Sequence, residues 1–348
     1  MKHTHLHTRL FALLLCCALV LPLSACGEAK STTQQIFAMD TVMDLTAYGK
    51  KADDGINAAI SIINSMDTLL DPENERSKTY EINHAMGSPV VVNEQIAKML
   101  RTAQTVYERT NGAFDLTTYP LSKLWGFIDQ NYRVPSDTEI ERLLPCVDMS
   151  KVQLSTTDDS ANSLVTMPAD MALSFGAVAK GCASEYAIQA MRAAGVTSGV
   201  VSLGGNVQTL GKKPDGSDWN IAIQDPNDTG SYLGYLTVGE TAVITSGSYQ
   251  RYFTEGGQKY HHILSPTTGR PVNNGLLAVT IVCEDGTLAD CLSTAMFVLG
   301  PQAALNYWRT YGGFEMLLVK TDGHVVLTNG LYGQFTPNGD SYVVDYAS

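Results

Sequence analysis

Cysteine, positive charge and long apolar runs are what this chain is short of. Of seven cysteines, Cys16, Cys17 and Cys26 crowd the N-terminus, and only Cys146, Cys182, Cys283 and Cys291 are scattered over the rest. Four thiols so far apart, with no Cys-x-x-Cys pair, exclude a disulfide framework; they read as core thiols, with room for one bridge. Lysine and arginine total 23 against 35 acids, a net charge of −12. That deficit argues against nucleic acid or an anionic lipid surface as the main partner. Any anion site must then be built locally, from amides, a few basic side chains or a metal. The apolar run over residues 10–21 is about a dozen residues, short of the roughly 20 that a membrane-spanning helix needs. Walker-type and G-x-G-x-x-G loops are missing, as are repeats and low-complexity blocks.

What is present begins with a targeting segment. Lys2 and Arg9 supply a positive region, residues 10–21 an apolar one, and Leu23-Ser24-Ala25-Cys26 a small-residue cleavage site. Cysteine directly after Leu-Ser-Ala looks like a bacterial lipobox, which implies cleavage before Cys26 and acylation of its thiol. Such lipid holds a protein on the extracytoplasmic face of a membrane rather than through it. An ordinary secretory signal with an incidental Cys26 is the alternative. Loss of Lys2 and Arg9 takes the net charge to about −14. Residues 26–35 read as a polar tether, and residues 36–348, at 44% hydrophobic for the whole chain, as one domain with two lobes.

Alternation over residues 37–48 predicts an opening strand that stops at Gly49. Ile56, Ile60, Ile63 and Met66 recur at helical spacing, so a helix runs to about Leu70. Asn93 is placed to cap a second helix with Ile96, Met99, Leu100, Ala103 and Val106 on its core face, and Asn111-Gly112 to stop it. Residues 172–175 read as a strand leading through Gly176-Ala177-Val178-Ala179-Lys180-Gly181 into a third helix. At such a junction of small residues a ligand can approach the backbone, the helix N-terminus favours negative charge, and Lys180 adds a point charge. Strands fill most of residues 199–245, where Gly204-Gly205 suggests a bulge or a close ligand contact. Residues 287–299 form a further helix.

The densest chemistry lies in residues 245–272, TSGSYQRYFTEGGQKYHHILSPTTGRPV. Hydroxyls, two arginines, an aromatic pair, His261-His262 and a Pro-Gly turn suit an anionic, oxygen-rich ligand held on a loop. A surface hairpin with incidental histidines is the competing reading. Asp290 and Thr294 stand four apart and so stack on one helix face, a carboxylate and a hydroxyl suited to Mg²⁺. A helix dipole alone would account for an acid at Asp290 but gives Thr294 no role. Asp115, in a glycine-punctuated run with the aromatics Phe114, Trp125 and Phe127, would help frame a planar ring, or the same aromatics staple a loop to the core.

In chain order, AMDTVMDL, GAFDLTTYPLSKLWGF, GAVAKGCASE, SLGGN, TSGSYQRYF, HHILSPTTGRP and LADCLSTAMFVLG resemble the motif set of the bacterial FAD:protein FMN transferases, the ApbE-type flavin transferases. The likeness covers nearly all of residues 36–346. It implies an α+β fold: one ApbE-like, T-fold-related domain with two lobes, its mixed and antiparallel sheets packed with helices and the active site between them. It also implies an Mg²⁺-dependent enzyme that moves FMN from FAD onto a Thr or Ser hydroxyl of an extracytoplasmic acceptor, releasing AMP. Such an acceptor would be an FMN-binding subunit of a membrane redox complex or an extracellular flavoprotein. A FAD pyrophosphatase using water, and a non-catalytic flavin-binding lipoprotein, are the rival readings.

By the same resemblance, Met39, Ala113, Phe114, Asp115, Ser174, Lys180 and Leu264 fall on FAD positions, with Gly204, Gly205 and Asn206 beside them. Ala177 (through its main-chain carbonyl), Asp290 and Thr294 fall on the metal positions. His262 is the candidate base, Lys180 and Arg251 are pyrophosphate contacts, and His261 has no chemical role. Departures from the family pattern are Ser174-Phe175-Gly176 for Asp-Leu-Gly, Ser265-Pro266 for Asp-Pro, and Glu185 for a closing Asp. Asp71-Pro72-Glu73 replaces a Ser-Thr-aromatic run, and Ser293 stands where some members have an acid. These bear on nucleotide affinity and leave the metal pair and the histidine intact.

Overall fold

A hairpin opens the fold. In the computed structural model, which describes residues 30–157 and 162–347, β1 (Ser31–Ala38) pairs antiparallel with β2 (Thr41–Tyr48), setting Ala38 against Thr41. Met39 and Asp40 between them both have positive φ, 48° and 58°, as a two-residue type I′ turn requires. Two expectations are thereby corrected. Residues 37–48 are a turn with its flanks rather than one strand, because apolar alternation can run on across a two-residue loop. Half of the expected tether, residues 31–35, is strand; β1 is a largely exposed sheet edge, so no apolar period marks it. The targeting segment and Cys26 lie outside the described residues. Among the described residues no helix is long and apolar enough to cross a membrane.

Helix α1 (Ala52–Leu70) buries Ile56, Ala59, Ile63 and Met66, and α2 (Lys78–Asn83) follows, capped by Ser77. After β3 (Val90–Asn93) comes α3 (Glu94–Arg109), where Asn93 Oδ1 accepts from the Ile96 N–H at 3.1 Å. Asn111 and Gly112, both at positive φ, end it as predicted. Short helices α4 (Tyr119–Leu124) and α5 (Asp137–Leu143) lead to β4 (Gln153–Thr156) and β5 (Asn162–Thr166), which join β3 in a three-stranded sheet. The strand expected over residues 172–175 is a loop. Leu173 spends both its N–H and its C=O on the Asn83 side-chain amide, each at 2.9 Å, and the Ser174 N–H donates to Leu116 O at 3.1 Å. A backbone already satisfied has no ladder to join. From this loop rises α6 (Ala179–Ala193).

The hairpin β6 (Gly199–Leu203)–β7 (Asn206–Leu210) turns at Gly204 and Gly205, with φ of 59° and 92°: a second two-residue turn, not a bulge. A Cβ on Gly204 would lie 2.5 Å from Thr41 Oγ1, so packing as well as φ demands glycine there. Next come β8 (Trp219–Gln224), β9 (Tyr232–Val238), β10 (Ala242–Gly247), the hairpin β11 (Tyr252–Glu255)–β12 (Gln258–His261), and β13 (Leu276–Cys283). Helices α7 (Gly286–Leu299) and α8 (Pro301–Tyr311) precede β14 (Glu315–Lys320), β15 (His324–Thr328), β16 (Phe335–Pro337) and β17 (Val343–Ala347).

The principal sheet has nine strands in the order β1-β2-β6-β7-β10-β13-β14-β15-β17, antiparallel except for the parallel β15–β17 pair. On one face Met43, Leu45, Val201, Ile244, Val279 and Ile281 share a core with α1, α6 and α7. The other face packs Val243, Leu317, Val319, Val325 and Leu327 onto Trp219, Ile221 and Leu236 of the small sheet β16-β9-β8. Covering both faces makes three layers, the α+β arrangement expected. A third cluster, Leu121, Trp125, Phe127, Ile140 and Leu264, lies under Phe253 and Tyr260 of the β11–β12 hairpin. Cys146, Cys182, Cys283 and Cys291 are free thiols.

Candidate active site

A cleft of about 650 Å³ is walled on one side by the α6 and α7 residues Lys180, Asp290 and Thr294 and on another by Phe127, His262 and Leu264. Met39, Ala113, Phe114, Asp115, Ser174, Ala177, Gly204 and Asn206 also reach its wall; Gly205 does not. Residues more than 200 positions apart in sequence are thus brought to one cavity. Most come from loops and helix ends, which the sheet and its helical layer hold in place.

Asp290 is 4% exposed. Its Oδ2 accepts from the Gly181 N–H at 2.7 Å and its Oδ1 from the Asn206 amide at 3.0 Å. Capping of α7 falls instead to Asp285, whose side chain accepts from the Leu288 N–H at 2.8 Å, so the helix dipole does not explain Asp290. Burial pushes its carboxyl pKa up, against the Lys180 charge and the two donors. Gly181 makes this geometry possible in a way the sequence did not suggest. A Cβ there would lie 2.1 Å from the Gly286 carbonyl oxygen and 2.5 Å from Asp290 Cβ, so this glycine serves the α6–α7 crossing rather than a ligand's approach. Thr294 Oγ1 is 3.2 Å from Ser246 Oγ, which is itself 2.8 Å from Ser293 Oγ.

These residues fit a hard divalent cation. Each Asp290 oxygen keeps a lone pair beyond its one N–H donor, and no basic side chain forms an ion pair with it among the described residues. A buried carboxylate left so is what a cation would compensate. No cluster of three His, Cys, Asp or Glu stands ready for a metal among the described residues. On the α7 face the donors are therefore the Asp290 carboxylate and the Thr294 hydroxyl, oxygen donors that leave room for water and phosphate, as Mg²⁺ prefers.

The two histidines have separate fates. His261 is buried with both ring nitrogens engaged, Nε2 against Val272 O at 2.8 Å and Nδ1 accepting from the Ile263 N–H at 3.3 Å, a structural role. His262 is partly exposed in the cleft, with Nδ1 3.1 Å from the Arg251 carbonyl. A carbonyl only accepts, so Nδ1 carries the proton and Nε2 is left with its lone pair. Burial first, and the Arg251 guanidinium second, push its pKa down to about 3, so the ring is neutral. Lys180 forms no hydrogen bond or ion pair among the described residues and is available to an anion.

The ApbE family profile matches residues 39–318. This chain belongs to the ApbE family. It is 30% identical over 285 residues to a FAD:protein FMN transferase of Klebsiella pneumoniae, covering 81% of this chain and 87% of that one. A FAD:protein FMN transferase of Treponema pallidum is 28% identical over 326 residues, covering 88% and 90%. The fold superposes on the crystal structure of an ApbE protein from Thermotoga maritima with a TM-score of 0.81 at 30% identity, covering 88% of this chain and 100% of that one. Pseudomonas stutzeri flavinyl transferase ApbE in its apo form gives 0.74 at 26% identity, covering 89% and 98%.

Within this ApbE-family site several roles escape sequence reasoning. The Asp115 carboxylate caps a turn: Oδ1 accepts from the Thr117 N–H at 2.7 Å and from its hydroxyl, and Oδ2 accepts from the Met149 N–H at 3.0 Å. Phe114 is almost wholly buried. These two shape the cleft wall more than they offer free polar groups. Glu73, from the departing Asp71-Pro72-Glu73 run, reaches the cleft and accepts from the Tyr119 hydroxyl and from Lys123 at 2.9 Å. Ser174 accepts from the Gly176 N–H at 3.2 Å, a local turn contact that a serine makes as readily as an aspartate. Glu185 is committed to Lys98 and to the Thr287 hydroxyl at 2.8 Å, bracing the start of α7. Asn206, placed by its motif near the flavin, holds Asp290. No motif spacing announces that contact, which spans 84 positions.

Proposed function

We propose that this chain is an FAD:protein FMN transferase, moving the FMN half of FAD onto a Thr or Ser hydroxyl of an extracytoplasmic flavoprotein and releasing AMP. Membership of the ApbE family and the names of its relatives support the reading. One observation carries it: a neutral histidine with a fixed tautomer shares a cleft with a hydroxyl and a buried carboxylate that forms no ion pair among the described residues. In the reaction the acceptor oxygen bonds to the FMN-side phosphorus, the bond to the AMP oxygen breaks, and the hydroxyl proton goes to His262 Nε2. Arg251 O holds the imidazole by Nδ1 throughout. Lys180 and Arg251 lend positive charge to the pyrophosphate, and an anion beside His262 opposes the charges that depress its pKa, moving it toward a working range. Mg²⁺, held by Asp290, Thr294 and the Ala177 carbonyl, would neutralise charge on the phosphates. Positioning and charge are most of what phosphoryl transfer asks of a protein.

The same proposal puts the enzyme on the outer face of a membrane, acylated at Cys26, on the strength of the Leu23-Ser24-Ala25-Cys26 segment. Incubation with FAD and Mg²⁺, with and without an acceptor domain, tests the activity. Acceptor-linked yellow fluorescence with AMP release is expected. Free FMN and AMP without labelling would make the protein a pyrophosphatase, and unchanged FAD would leave it a flavin-binding protein.

A further inference from the structure

Behind the Asp290–Thr294 face, three hydroxyls form a chain whose direction can be worked out. Ser293 Oγ lies 2.9 Å from the Asp290 main-chain carbonyl, which only accepts, so the Ser293 proton goes there. Ser246 Oγ is 2.8 Å from Ser293 Oγ; with the Ser293 proton committed, Ser246 is the donor. Thr294 Oγ1 is 3.2 Å from Ser246 Oγ, whose proton is now committed too, so Thr294 donates in turn. Every hydroxyl has one proton, and the carbonyl end therefore sets the sense of the whole relay.

The consequence falls at the open end. Thr294 Oγ1 has no proton left and offers only lone pairs to anything in the cleft, whose wall includes Thr294, Ser246 and Asp290. Ser293, fully buried, is the hydroxyl at the carbonyl end of the relay and not a ligand in its own right. Ser246 comes from β10 and the other two from α7, so the relay also pins the helix face to the sheet. We infer that Ser246 is a positioning residue: by accepting the Thr294 proton it presets Thr294 Oγ1 as a pure acceptor for a divalent cation. This inference rests on the magnesium reading given above.

The test is Mn²⁺ alone, titrated into the metal-free protein and followed by loss of the free-ion paramagnetic resonance signal. Wild type, Ser246→Ala, Ser246→Thr and Asp290→Asn are compared, and metal-free melting curves check that each folds. Outer partners of metal ligands are typically worth 10–100-fold in affinity, so Ser246→Ala should weaken Mn²⁺ binding by about tenfold, while Ser246→Thr stays within about threefold. Should the alanine variant fail to melt cooperatively, Ser246→Cys, with a poor hydrogen-bonding thiol, must show the loss instead. Wild-type affinity in Ser246→Ala, or an equal loss in the alanine and threonine variants, overturns the inference while uptake abolished in Asp290→Asn leaves the magnesium reading standing. A wild type that takes up no more Mn²⁺ than Asp290→Asn overturns both.

Discussion

Gly181→Ala sets two well-understood effects against each other. Inside a helix, exchanging glycine for alanine should stabilise by about 0.5–1 kcal/mol through backbone entropy. Here the new Cβ would lie 2.1 Å from the Gly286 carbonyl oxygen and 2.5 Å from Asp290 Cβ, so α6 and α7 have to part. Forcing an extra methyl into a closed contact costs about 1–3 kcal/mol. The clash wins, for a net loss of about 1–2 kcal/mol, or roughly 1.5–3 °C in a domain of this size. Parting the helices also draws the Gly181 N–H away from Asp290 Oδ2, now at 2.7 Å, so FMN transfer should fall with stability. Urea denaturation and a transfer assay on the same preparation read both. A variant as stable as wild type, or more so, would mean that propensity prevails and that the two helices do not meet there.

Other expectations concern the base and the turn beside it. His262→Asn should keep FAD binding and lower turnover by about 10²–10⁴-fold, the range for a lost general base; full turnover would remove His262 from that role. The same variant should flatten the pH dependence of stability. Below about pH 6.5 the unfolded chain takes up a proton that folded His262 refuses until its pKa of about 3, so stability erodes as pH falls through that window. Equal slopes of melting temperature against pH in wild type and variant would contradict the assignment. Trp125→Phe removes the Nε1–H that donates to Gly269 O at 2.8 Å and leaves that carbonyl unpaired in a buried setting, at a cost of about 1–3 kcal/mol. Faster amide exchange in residues 265–270, with little change elsewhere, would accompany it.

How far these features could be read beforehand depended on their range in the chain. The Asn93 cap, the stop at Asn111-Gly112 and the apolar stripe of α3 are local, and local chemistry sufficed. Met39 and Asp40 hid a turn inside an alternating run, because Met39 is no turn former and Asp40 comes without the glycine that marks such a hairpin, so only their φ angles reveal it. Leu173 looked like strand until Asn83, 90 positions away, took both its backbone groups. The site divides the same way. Asp290 with Thr294 is a four-residue spacing and could be seen. Its supports, Gly181 and Asn206, lie 109 and 84 positions off and required the fold. Gly181 itself carried the right residue for a different reason, since glycine at a helix start serves a ligand or a neighbouring helix equally well.

Intact mass of a purified acceptor domain after incubation with the enzyme, FAD and Mg²⁺ bears most directly on the central claim. The account predicts a gain of one FMN less one water on a single Thr or Ser, matched mole for mole by AMP, and no gain with Asp290→Ala. An acceptor of unchanged mass, or one labelled equally well by Asp290→Ala, would contradict it.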